Sequence, residues 1–71
     1  MTIRFHGKLY PVEAVKAAVE AFAEIASIRT TRTATGTEVE IEPVCPEDEA
    51  EVAGEFANYV LGQAVLLLGR A

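Results

Sequence analysis

The chain is 71 residues long, with eleven acidic and six basic residues, a net charge of −5 and a pI near 4.7. A single cysteine excludes an internal disulfide, a single histidine leaves no metal-ligand cluster, and the acidic balance argues against nucleic acid, whose phosphates need a cationic surface. A domain this small buries only about 60% of the surface its unfolded chain exposes, so association with a partner is the remaining route to added stability.

Thr2 to His6 alternates, with Ile3 and Phe5 on one side and Thr2, Arg4 and His6 on the other, the pattern of a short half-buried strand. Gly7-Lys8 makes a turn. Pro11 to Ala26 reads as a helix with Pro11 in the first helical position, where its missing N–H is harmless. Val12, Val15, Ala18, Val19, Phe22, Ile25 and Ala26 gather on one face of it, and Glu13, Lys16, Glu20 and Glu24 on the other. Lys16 is placed to pair with Glu13 and Glu20.

Ser27 to Ala34, rich in Thr, Ile and Arg, reads as the second strand. A turn at Thr35-Gly36, or a longer loop from Ala34 to Thr37, leads into a third strand. In that strand Thr37, Val39 and Ile41 point inward, and Glu38, Glu40 and Glu42 outward. Either turn predicts Thr33 opposite Glu38, Thr31 opposite Glu40 and Arg29 opposite Glu42. Arg32 falls on the inner side and can snorkel out at the hairpin tip.

Pro43 ends the strand, and Pro46 opens a last helix with Glu47, Asp48 and Glu49 in its first turn, where negative charge complements the helix dipole. It runs to about Leu68, with Gly69 as stop. The expected architecture is one α+β domain over residues 1–71, with the elements in the order βαββα. A right-handed crossover followed by a hairpin gives a three-stranded antiparallel sheet of order 1-3-2 with two helices on one face. It is a split βαβ unit of the ferredoxin-like kind without its final strand.

Function is most legible in the last helix. Val52, Ala53, Phe56, Val60, Ala64 and Leu67 fall within about a third of its circumference at roughly 100° per residue and form a core face. Leu61, Val65 and Leu68 make a second stripe, and Leu66 lies on the opposite flank beside Tyr59. A helix with apolar residues nearly all round has more greasy surface than its own small domain can cover. Tyr59, Leu61, Val65, Leu66 and Leu68 are therefore the expected partner interface, in a homodimer or against a different protein. The two outer strands leave free sheet edges, and Ile3, Arg4 and Phe5 form a strand onto which a peptide can add. The arginines Arg4, Arg29 and Arg32 can equally serve to protect those edges.

No catalytic constellation emerges. His6 stands on an outward strand face without a partner at useful spacing. Cys45 reads as a small buried residue at the strand-to-helix turn, and its nearest charged neighbours are acids, whereas a reactive thiol needs a base or cation. The Glu38, Glu40 and Glu42 ladder reads as a solvated sheet face, with docking of a basic partner as its functional alternative. Neither cofactor nor metal is expected. The start of the chain has no secretory h-region, and the C-terminal apolar run is far below the roughly 20 residues that span a bilayer. A lone cysteine with no export signal fits a reducing cytoplasm.

Several short motifs together resemble the HxsD family, small components of His-Xaa-Ser peptide systems. They are Ile3-Arg4-Phe5, then Tyr10 with Glu13-Ala14 and Ala17, and later Glu55-Phe56, Asn58, Leu61 and Gln63. The chain departs from that pattern at Gly62, where the family tends to carry an acid, and at Leu66-Leu67-Leu68, where members turn charged. The resemblance implies an accessory protein beside radical SAM enzymes that mature ribosomally made peptides (RiPP biosynthesis). Such a protein binds the precursor peptide, the enzyme or both, and does no chemistry itself.

Overall fold

The computed structural model describes residues 1–69. Its elements are β1 (Thr2–His6), α1 (Val12–Ala21), β2 (Ala26–Arg32), β3 (Gly36–Pro43) and α2 (Glu49–Leu68). A single 3-10 turn at Pro46–Asp48 leads into α2. The sheet is antiparallel in the order β1-β3-β2. Strict alternation along β3 buries Thr37, Val39 and Ile41 and turns Glu40 and Glu42 to water. Across from them Ile3 pairs with Val39, and Phe5 with Thr37, on the same inner side.

Both helices cover that inner side. Phe5, Ala26, Val39 and Ile41 from the sheet join Ala14, Val15 and Ala18 of α1 and Val52, Phe56, Val60 and Ala64 of α2 in one core. The other face carries exposed Thr2, Arg4, His6, Ser27, Arg29, Thr31, Glu40 and Glu42. Arg4 there bonds the Glu38 carboxylate at 3.1 Å. All three phenylalanines and both tyrosines form one chain of ring contacts through the core, Tyr10–Phe5–Phe56–Phe22–Tyr59, with centroids 5.2 to 6.1 Å apart. Aromatic pairs at such distances add stabilisation beyond the area they bury.

Four expectations about the elements, their pairing and their ion pairs need correction. First, α1 ends at Ala21, not Ala26. The backbone is required elsewhere: Ala26 is already paired with Pro43 in the sheet, and the Ile25 carbonyl accepts the Val44 N–H at 2.9 Å. Ile25, placed on the helix's apolar face by periodicity, is instead 46% exposed. Pro11 correspondingly sits one residue before the helix, as its N-cap.

Second, the β2–β3 hairpin is paired two residues away from the expected register. Arg29 faces Glu40, Thr31 faces Glu38 and Ser27 faces Glu42. The turn is Ala34-Thr35, closed by Thr33 and Gly36. The Thr33 N–H donates to the Gly36 carbonyl at 2.8 Å, and the Thr33 hydroxyl accepts the Gly36 N–H at 3.1 Å. A slip of two leaves each side chain on its own face, so Ile28 and Thr30 still lie on the inner side.

Third, Gly36 is not a turn residue. It belongs to β3, opposite His6, where a Cβ would run into the Phe5 carbonyl oxygen and lie 2.7 Å from the Gly7 nitrogen. Fourth, the Lys16 pairs with Glu13 and Glu20 do not form; among the described residues the side-chain ion pair is that of Arg4 and Glu38.

Candidate partner-docking surface

Twenty residues make α2 about 30 Å long. Its core face is as periodicity predicts: Val52, Ala53, Phe56, Val60 and Ala64 are buried and Leu67 is half-buried. Beyond that face the helix keeps a surplus. Tyr59, Leu61, Val65, Leu66 and Leu68 are each between 38% and 62% exposed. Tyr59 is partly engaged by its own domain, its ring lying edge-on to Phe22 at 5.8 Å. Leu61, Val65 and Leu68 lie on the opposite flank of the core face and remain open to solvent.

That flank has a pattern of its own. Gly54, Asn58, Leu61, Val65 and Leu68 follow one another at alternating spacings of four and three residues. This is the spacing of a coiled-coil seam, with Leu61 and Leu68 at d positions and Asn58 and Val65 at a positions. A β-branched residue at a, leucine at d and one asparagine at a is the combination that favours two strands in parallel. The seam was open to discovery in the sequence from its spacing alone, once Asn58 is read with the apolar stripe and not with the polar sector.

Two glycines lie on the solvent side of α2. Gly54 and Gly62 stand in the middle of α2, where glycine is worse than alanine by roughly 0.5–1 kcal/mol. A Cβ added at either would meet nothing within 4 Å. Replacing either with alanine is therefore expected to stabilise the free domain by about 0.5–1 kcal/mol in urea titration.

β1 is an outer strand of the sheet and keeps one free edge. Phe5 is buried, Ile3 is half-buried and Arg4 is exposed but bonded to Glu38. An added peptide would meet the backbone of β1, with Thr2, Arg4 and His6 exposed on the outer face beside it. His6 is exposed, and its Nδ1 accepts the Lys8 N–H at 3.3 Å.

Cys45 is exposed, which corrects the expectation of a buried thiol. The hydrogen bond from Val44 to Ile25 holds the backbone while both side chains swing outward, leaving Val44 71% exposed. Among the described residues no group of three His, Cys, Asp or Glu could hold a metal ion, and no helix is long and apolar enough to cross a membrane. Comparison with known proteins finds no matching family model, no matching curated protein and no matching solved structure.

Proposed function

We propose that the protein is a non-catalytic accessory module of a radical SAM peptide-maturation system, binding the maturase, the precursor peptide or both. One observation carries the binding part: α2 has a complete core face and still presents Leu61, Val65 and Leu68 to water as a continuous stripe. Each leucine-sized side chain that a partner covers contributes roughly 1.5–3 kcal/mol before the cost of association. The maturation setting rests on the HxsD-like motifs around Ile3-Arg4-Phe5 and Glu55-Phe56.

The test is co-purification with a radical SAM enzyme and a short precursor encoded beside this chain. Capture of at least one is expected, and its loss in the Leu61→Glu, Val65→Glu double variant. Both substitutions are at exposed helical positions, so the variant's unfolding free energy should stay within about 1 kcal/mol of the parent's. Capture of neither protein would sink the maturation setting.

A second reading is a homodimer built through the same stripe, favoured by the four-three spacing that puts Asn58 and Val65 at a positions. Sedimentation at micromolar concentration should then give twice the chain mass, reverting to monomer in the double variant. The two readings are compatible where a dimer forms the docking surface.

A further inference from the structure

At the other end of α2 lies an open groove of about 370 Å³. Three segments meet to make it: the turn after α1, the loop after β3, and the first half of α2. Ile25, Val44 and Val52 supply its apolar surface, and Ile25 and Val44 are 46% and 71% exposed. Glu24, Asp48, Glu51 and Glu55 stand around them, and among the described residues no lysine, arginine or histidine lines the groove.

These two features restrict what can fill it. The exposed aliphatic carbons gain from being covered. A purely apolar cover would strip water from four carboxylates and leave them unpaired, which is costly. An acidic cover would add repulsion to a chain already at −5. A segment with aliphatic side chains flanked by lysine or arginine satisfies both demands: its carbons cover Ile25 and Val44, and its cations pair with the carboxylates as they lose water.

We propose that this groove binds a short basic-apolar peptide segment of a partner protein. The inference deepens the binding-module reading by naming the chemistry of a bound segment, and places it apart from the Leu61, Val65 and Leu68 stripe. It depends on that reading only for the source of the segment.

Cys45 provides the reporter, because it lines the groove, is exposed and is the only cysteine in the chain. The probe is acetyl-Lys-Leu-Lys-Leu-Lys-amide, added to the full chain during alkylation of Cys45 by N-ethylmaleimide. At saturation it should slow alkylation at least tenfold. Peptides with glutamate in place of lysine, or serine in place of leucine, should leave the rate unchanged. Glu51→Lys with Glu55→Lys should weaken the probe's Kd tenfold or more, and so should the loop change Val44→Ser. Glu40→Lys with Glu42→Lys, on the open sheet face, should not.

The proposal is overturned if the probe fails to protect Cys45, or if the sheet variant weakens binding as much as the groove variants do. Protection that rises with protein concentration alone would mean that a second copy covers the groove, and would overturn it equally. The Leu61→Glu, Val65→Glu variant should keep probe binding intact. Loss of partner capture in that variant with probe binding retained, or the converse, therefore tells the two proposals apart.

Discussion

Replacing Phe56 with alanine is expected to remove a large part of the domain's stability. Phe56 is fully enclosed and is the central link of the aromatic chain, tilted against Phe5 at 6.1 Å and edge-on to Phe22 at 5.5 Å. Truncating a buried phenylalanine costs about 3–5 kcal/mol, through lost transfer energy and the cavity left behind. A chain of 71 residues has, at roughly 0.05–0.15 kcal/mol per residue, only about 4–10 kcal/mol in total. The loss is therefore roughly a third of the total or more, and at the lower end of the range it leaves the variant partly unfolded at 25 °C. Urea titration followed by far-ultraviolet circular dichroism measures this. A change under about 1 kcal/mol would mean that the rings around Phe56 close the cavity, contrary to the packing described.

Gly36→Ala should come second, at about 3 kcal/mol, near the upper end of what single substitutions cost. The new methyl would collide with backbone, the Phe5 carbonyl and the Gly7 nitrogen, neither of which can rotate out of the way. Relief requires moving β1 off β3 at the His6–Gly36 pair. For a domain of this size each kcal/mol is worth about 4–8 °C in Tm, so a fall of roughly 12–24 °C is expected in a thermal melt. Gly54→Ala is the matched control. Neither glycine has a positive φ, so the two substitutions differ in what the methyl meets: adjacent strand in one case and nothing within 4 Å in the other. Opposite signs of ΔΔG are expected, and a destabilisation of equal size at both sites would rule out the steric account of Gly36.

The element order, the sheet order and the core face of α2 are legible in the sequence because each rests on a strong period. Glu38, Glu40 and Glu42 alternate with Val39 and Ile41, and Val52, Phe56, Val60 and Ala64 repeat at helical spacing. The uncovered stripe of Leu61, Val65 and Leu68 is legible for the same reason. The end of α1 is not, because a hydrogen bond from a residue nineteen positions later, Val44 to Ile25, decides it. The hairpin register is not, because hydrophobic alternation cannot distinguish pairings that differ by two residues; Arg29 faces outward in either. The exposure of Cys45 and the groove beside it are not, because three separate segments assemble them.

Ala14 and Ala18 of α1 are fully enclosed, and Ala53 and Ala64 of α2 nearly so. Where methyl groups set how closely elements approach, a larger side chain has no place to go, and each added bulk costs about 1–3 kcal/mol in strain. The interior is therefore closed to growth. Further apolar bulk is accepted at exposed positions, such as those of Leu61, Val65 and Leu68 on the outward side of α2. The fold thus constrains the inward residues of the helix far more than the outward ones, and the outward set can change while the inward set stays as it is.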